Sequence, residues 1–142
     1  MTSSPPDSLG GFVLDASALA QLAAPTPTYA SLVVDQAAVR GMSFLVPAGA
    51  LSEAWQTIRA EGGDPDGLAD LLAAPTVLVE PLDAAAAHRA GELVAGRHTA
   101  PDVAAAHVAT CARARGWPAL SAAPDRIIAV DPGVPVAKLP GV

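Results

Sequence analysis

Short apolar runs alternate with longer segments of helical periodicity along most of this chain. The apolar runs predict five strands, at residues 12–14, 43–46, 77–80, 119–121 and, as an edge strand, 135–139. The segments between them predict seven helices, over residues 18–24, 28–40, 50–60, 68–74, 83–95, 101–115 and 124–129. Strands that alternate with helices are typical of a mostly parallel sheet covered by helices on both faces. The pattern therefore predicts an α/β fold.

The 142 residues fit one domain, which we place at residues 11–142 after a flexible leader of ten residues rich in Ser and Pro. The leader has no basic segment followed by an apolar one, so it does not resemble a signal peptide. No apolar run approaches the roughly 18 residues of a membrane span. The single cysteine, Cys111, excludes an internal disulfide framework and is typical of a reducing compartment. We expect a cytoplasmic protein.

The charge of the chain restricts its partners. The formal net charge is −6, and the basic side chains comprise one lysine and seven arginines. Domains that grip nucleic acid through phosphates are usually basic, so we expect no DNA partner and no tight nonspecific binding. A local basic rim, or a basic partner protein, remains compatible with this composition.

Four acids stand where parallel strands end or the neighbouring helices begin. Asp15 follows the first strand, Glu53 follows the second, Asp102 opens the helix before the fourth, and Asp125 follows the fourth. Such positions converge at one edge of a parallel sheet. Clustered carboxylates repel one another unless a cation neutralises them, and Mg²⁺ or Mn²⁺ prefers oxygen ligands. The pattern indicates a metal site suited to phosphodiester hydrolysis.

Three segments carry a resemblance to a known family. They read Val-Leu-Asp-Ala-Ser-Ala-Leu at residues 13–19, Leu-Ser-Glu-Ala-Trp at 51–55, and Ala-His-Val from 106, followed by Arg-Ala-Arg-Gly-Trp-Pro-Ala-Leu-Ser at 113–121. Together, and in this order, they resemble a PIN domain of the VapC toxin type, with an actinobacterial character. The resemblance covers the chain from about Gly11 onward and implies a three-layer α/β/α sandwich with four to five strands.

The resemblance also implies a function. Proteins of this type are endoribonucleases that hold Mg²⁺ or Mn²⁺ and direct a water at RNA; they are commonly dimers and are commonly neutralised by a small antitoxin protein. Asp15 matches the first family acid and Glu53 the second. Ser17, beside the first acid, and Ser121, at the end of the fourth strand, match supporting positions.

The sequence departs from the family at two positions. Relatives read Asp-Val-Val-Asp-Ala-His-Val before the fourth strand and Thr-Ser-Asp-Pro-Asp after it, whereas this chain has Ala105 and Ala123 in place of the two site acids. Asp102 and Asp125 are the candidate replacements. Asp102 lies one helical turn from position 105, a shift of about 5 Å, which is large against metal–oxygen bonds of about 2.0–2.6 Å. Two functions therefore stay open, a weakened endoribonuclease and an inactive scaffold that binds a partner protein or RNA. The sequence does not separate natural loss from deliberate replacement by alanine.

Structural roles compete with these assignments. Asp102 fits a capping box with Thr99, and Asp125 and Glu53 fit acids near helix starts. His107 and Cys111 have the i, i+4 spacing of metal ligands, but a packed histidine and a buried thiol explain them better.

Surface roles are similarly open. His88 and His98 are expected at the surface. Arg113 and Arg115 fit RNA phosphates as well as a solvated helix end. Residues 29–34 and 68–72 fit a dimer or antitoxin surface, with an ordinary core face as the alternative.

Overall fold

The computed structural model of the protein describes residues 10–97 and 100–141. The predicted leader, apart from Gly10, lies outside the described residues, as do the predicted surface residue His98 and the predicted helix cap Thr99.

Within residues 10–97 and 100–141, five strands form one sheet in which every pair of neighbours is parallel. Their bounds are β1 Gly11–Leu14, β2 Ser43–Pro47, β3 Val77–Glu80, β4 Ala119–Ser121 and β5 Val136–Lys138. The order across the sheet is β3-β2-β1-β4-β5. The predicted parallel α/β sheet is confirmed, and the edge strand is the fifth member.

In the part of the chain that the structure describes, seven helices connect the strands. Their bounds are α1 Ala16–Leu22, α2 Tyr29–Val39, α3 Ala48–Ala60, α4 Asp66–Leu72, α5 Ala84–Val94, α6 Val103–Arg115 and α7 Pro124–Val130. Because the chain moves from β1 to β3 in one direction and from β3 back to β5 in the other, right-handed crossovers place the two sets of helices on opposite faces. This arrangement gives three layers.

Several helices begin earlier or later than the sequence pattern predicts. α1 begins two residues early because the side chain of Asp15 already caps it, accepting a hydrogen bond from the Ala18 N–H at 2.9 Å. α3 begins directly after Pro47, which lacks only an N–H that a helix start leaves unpaired. α6 begins two residues late because Asp102 is itself the cap and accepts from the Ala105 N–H at 3.1 Å. Local capping by carboxylates thus sets two of the three starts.

The core lies on both faces of the central strands. Val13, Leu14, Phe44 and Val46 are fully buried, as a strand covered on both sides requires. α6 buries seven of its residues, most of them alanine, so it can pack closely against the sheet and against α3 and α5. Its end is set by Gly116, whose φ of +68° is a left-handed conformation that favours glycine. α6 therefore packs against α3, α5 and α7 as well as against the central strands.

The two segments considered for partner surfaces differ in exposure. Leu68 of α4 is fully buried, so residues 68–72 contribute a core face. On α2, Tyr29 and Leu32 are 55% and 56% exposed. A dimer or antitoxin surface at residues 29–34 stays a prediction. Among the described residues, the helices are all too short or too polar to cross a membrane.

Candidate functional site

Asp15 lies at the carboxyl end of β1, next to the end of β4, where the strand order reverses. Ligand sites of open α/β sheets form at such reversal points. The Ser17 hydroxyl donates to Asp15 Oδ1 at 2.6 Å, and the Ser121 hydroxyl donates to Asp15 Oδ2. The backbone holds both serines in place, since Ser17 Oγ accepts from the Ala122 N–H and Ser121 Oγ from the Ala123 N–H, each at 2.8 Å. The strand ends thus orient a buried carboxylate with three hydrogen-bond donors.

Burial dominates the electrostatics of Asp15. Its residue is 7% exposed, and desolvation raises the pKa of the carboxyl above its ordinary value of 3.8. The hydrogen bonds from Ser121, Ser17 and the Ala18 N–H oppose this shift without cancelling it. A cation in direct contact with Asp15 would lower its pKa, and Arg126 contributes only the last of the lowering causes.

Arg126 joins the two remaining acids of the site. Its Nη1 and Nη2 atoms donate to Glu53 Oε2 and Oε1 at 2.5 and 2.7 Å, while its Nε and Nη2 atoms donate to Asp102 Oδ2 and Oδ1 at 2.9 and 2.8 Å. Each carboxylate therefore makes a bidentate interaction with the same guanidinium. The three side chains are partly exposed, at 40% for Arg126, 35% for Glu53 and 25% for Asp102. We call these three residues the arginine clamp.

The clamp favours the charged forms of Asp102 and Arg126. Hydrogen bonds from Arg126 lower the pKa of Asp102, although partial burial works in the opposite direction. Hydrogen bonds to Glu53 and then to Asp102 raise the pKa of Arg126, so the guanidinium stays protonated at any accessible pH.

Ala105 lies between Asp15 and the clamp. It is 4% exposed and, with Asp15, Ala104, Val108 and Arg126 among its neighbours, lines a cavity of about 10 Å³. That volume is about enough for one water molecule. Ala123 follows on the other side, where its N–H bonds Ser121 and its backbone caps α7. Ala105 therefore shares a cavity with Asp15, and Ala123 is linked to Asp15 through Ser121.

Asp125, His107 and Cys111 have none of the hydrogen bonds that join this cluster, whereas Glu53 belongs to it. Asp125 is exposed in the first turn of α7, and its side chain has no hydrogen bond to another described residue. Glu53 lies in the second turn of α3 and not the first, because α3 begins at Ala48. His107 is fully buried and its Nδ1 accepts from the Gly49 N–H at 3.2 Å, while burial lowers its pKa. Burial raises the pKa of Cys111 to about 11, so its thiol is protonated at neutral pH.

The described side chains do not fit a divalent metal. No group of three or more His, Cys, Asp or Glu residues in residues 10–97 and 100–141 is arranged to hold an ion. Glu53 and Asp102 would supply the oxygens, but all four of these oxygens accept hydrogen bonds from Arg126. Asp15 keeps one free lone pair at most on each oxygen after its three hydrogen bonds. Each oxygen that Mg²⁺ or Mn²⁺ would need therefore already accepts at least one hydrogen bond.

Sequence reasoning missed Arg126. The signal available for it is its position in the first turn of α7, directly after Asp125. A cation there opposes the helix dipole and so needs an acidic partner. The acids predicted at this edge of the sheet were the obvious partners.

The basic residues at the end of α6 also have partners. Arg113 donates from Nε and Nη2 to the buried Asp131 at 2.8 Å in each bond. Arg115 lies 3.6 Å from Glu80 and 5.3 Å from the centre of the Trp117 ring. Contacts with RNA phosphates by these two arginines stay a prediction.

Comparisons with known proteins give a likeness in structure alone. No protein-family model matches the sequence, and none of the curated proteins matches it significantly. Among solved structures, the chain is similar to Mycobacterium tuberculosis VapC20, a toxin that cleaves the sarcin-ricin loop. The match has 18% sequence identity and a TM-score of 0.61, and it covers 77% of this chain and 87% of VapC20. The predicted resemblance is confirmed for the architecture, and the chain has the PIN-like fold of a VapC-type toxin.

Proposed function

We propose that this protein is a PIN-like domain that does not hydrolyse RNA through a divalent metal and that acts by binding a partner protein. One observation carries the proposal: Ala105 lines a small cavity with Asp15, and Ala123 donates its N–H to Ser121, while the resemblance implies an acid at each of these two positions. Asp15 is left as the one carboxylate of the cluster that no arginine binds directly. One buried carboxylate does not assemble the set of oxygen ligands that Mg²⁺ or Mn²⁺ prefers.

The charge favours a protein partner over RNA. The net charge is −6, and three of the eight basic residues, Arg113, Arg115 and Arg126, are engaged with acids. Binding to phosphates through counterion release needs clustered free cations. An acidic scaffold of this fold is better suited to a small basic protein, of the antitoxin kind that the resemblance implies.

A second candidate is a weakened endoribonuclease. It is favoured by Asp15, Ser17 and Glu53, which match the family and lie at the same edge of the sheet. VapC20 cleaves the sarcin-ricin loop, so this loop is the substrate to test first.

Cleavage of RNA separates the two candidates. We expect no cut of a sarcin-ricin loop oligonucleotide or of total RNA at millimolar Mn²⁺ or Mg²⁺, measured on denaturing gels, because the carboxylates that would hold the ion are missing or paired. The Asp15→Asn variant is the control for contaminating nuclease.

Two results decide this test. Equal, background-level products from the two proteins support the proposal. Metal-dependent products from the natural sequence that disappear in Asp15→Asn would establish the endoribonuclease instead. Fluorescence anisotropy with labelled RNA gives the partner class, and a dissociation constant well below about 10⁻⁶ M at physiological salt would contradict the preference for protein.

A further inference from the structure

The arginine clamp connects three helices that are distant in sequence. Glu53 belongs to α3, Asp102 caps α6, and Arg126 stands in the first turn of α7. One atom, Arg126 Nη2, donates to both Glu53 Oε1 and Asp102 Oδ1, at 2.7 and 2.8 Å. A single positively charged group thus lies between two carboxylates that would otherwise repel each other.

We infer that the guanidinium of Arg126 is a built-in cation that takes the place of a divalent metal at this edge of the sheet. The inference rests on the proposed function, because it explains how the acids that remain are kept neutralised once metal binding is lost. It also assigns a role to Arg126 that neither the resemblance nor the family acids suggest.

The geometry is that of a bridging ion. A metal shared by two carboxylates sits between their oxygens and within about 2.6 Å of each, and Nη2 occupies the same kind of position with hydrogen-bond lengths. The fork of the guanidinium then adds one further bond to each carboxylate, which a point charge such as lysine does not provide. A metal could reach these oxygens only after Arg126 had left them.

The clamp differs from an ordinary surface ion pair. An exposed pair adds little and forms or breaks freely. Here four bonds converge on one side chain, Asp102 is only 25% exposed, and the same Asp102 also caps α6 through Ala105. The position of Arg126 is therefore set by several contacts at once, as a resident ion is set by its ligands.

Binding of Mn²⁺ tests this inference. In Arg126→Gln, the two carboxylates lose their counter-charge, and we expect Mn²⁺ affinity at least about tenfold higher than in the natural protein by isothermal titration calorimetry. Added Mn²⁺ should also raise the melting temperature of this variant alone. Arg59→Gln is the matched control, because it removes an exposed arginine from the last turn of α3 without touching the clamp.

Two further measurements keep the test decisive. In the natural protein, NMR signals of residues 53, 102 and 126 should show no selective paramagnetic broadening by Mn²⁺. Arg126→Lys keeps a positive charge and should exclude Mn²⁺ as the natural protein does. Arg126→Met removes the charge, should gain Mn²⁺ affinity, and carries the test if Arg126→Gln does not fold. Selective Mn²⁺ binding at the clamp in the natural protein or in Arg126→Lys overturns the inference, as does a folded Arg126→Gln with unchanged affinity.

These outcomes are separate from those of the proposed function. RNA cleavage by the natural protein would refute the proposed function whatever Arg126 does. A protein that neither cleaves RNA nor gains metal affinity in Arg126→Gln would leave the proposed function standing and refute the built-in cation.

Discussion

At the scale of single residues, Asp15 is a carboxylate whose burial disfavours its ionised form. Its three hydrogen bonds come from groups fixed by the backbone, yet desolvation still raises its pKa. An acid whose pKa is raised in the folded protein stabilises the fold fully below its unfolded pKa and loses that contribution as the pH rises through the folded value. Ionised Asp15 therefore costs stability at neutral pH.

The Asp15→Asn variant should reveal this cost. Between pH 3, which is below the unfolded pKa of 3.8, and pH 7, the free energy of unfolding of the variant should shift upward relative to that of the natural protein. The shift should approach about 1.4 kcal/mol for each pH unit that separates the two pKa values. Urea denaturation at both pH values measures it. Asp35→Asn on the exposed side of α2 is the control. A difference that stays constant with pH, or grows in the opposite sense, would contradict the raised pKa.

At the scale of helices, Arg113 and Asp131 join the end of α6 to the end of α7. Asp131 is 1% exposed, whereas the side chain of Arg113 is 60% exposed. Burial acts to raise the pKa of Asp131, but hydrogen bonds from Arg113 and the Gly133 N–H outweigh it and lower the pKa. Removal of Arg113 would thus leave a buried carboxylate unpaired, whereas removal of the Asp131 charge would leave an exposed guanidinium.

Removal of the exposed Arg113 should lower the free energy of unfolding more than neutralisation of the buried Asp131 does. Arg113→Ala leaves a buried carboxylate without its counter-charge, so we expect a loss of about 2–3 kcal/mol in the free energy of unfolding at pH 7. Asp131→Asn leaves a guanidinium that water can solvate, and about 1 kcal/mol should be lost. Urea denaturation of the two variants compares them.

The pH dependence provides the check on this pair. The stabilisation by Asp131 is present above its unfolded pKa, near 3.8, and is lost as the pH falls through the lower folded value. In Arg113→Ala the effect of burial on the pKa remains while the opposing hydrogen bonds from Arg113 vanish, so the deficit relative to the natural protein should shrink as the pH is lowered. An equal loss in both variants at every pH would contradict this explanation.

The order of strands and helices could be predicted because each element carries its own period of apolar residues. The predicted bounds of β3 and β4 agree with the structure at both ends. The predicted helix starts were less accurate than the strand bounds. Asp15 and Asp102, which were predicted as site residues, are also the N-caps of α1 and α6. A cap is decided by the conformation of one residue, which periodicity does not report.

The meeting of Asp15 with Ser121 was predictable from the sequence, but the arginine that joins Glu53 to Asp102 was not. The ends of parallel strands share one edge, which locates Asp15 and Ser121, and Glu53 and Asp102 meet each other there only through Arg126. A cluster of carboxylates can be neutralised by a metal ion or by a basic side chain. The sequence pattern locates the acids but does not show which cation pairs with them. The nature of the counter-charge depends on a tertiary contact between α3, α6 and α7.

At the scale of the whole molecule, the fold brings α6 and the segment from β4 to α7 next to Asp15. Ala105 comes from α6 and Ala123 from the start of α7, so restoring the family acids needs two substitutions. Arg126 lines the same small cavity as Ala105. A carboxylate placed at position 105 would therefore lie near the guanidinium, which would compete with a metal for the carboxylate oxygens.

Rebuilding the site should need three changes. Ala105→Asp with Ala123→Asp should give little Mn²⁺ binding, because Arg126 pairs with the new acid, and addition of Arg126→Gln should raise the affinity at least about tenfold. Calorimetry with Mn²⁺ and cleavage of the sarcin-ricin loop RNA measure both steps. Filling the cavity of about 10 Å³ overpacks it and costs about 1–3 kcal/mol, so urea denaturation must first show that the variants fold.

The rebuilt variants separate two errors. If the double substitution binds Mn²⁺ as tightly as the triple one, Arg126 is no obstacle and its role as a built-in cation is wrong. If the folded triple variant gains nothing, positions 105 and 123 do not correspond to the family acids, because a complete set of four carboxylates on this scaffold would have to attract the ion.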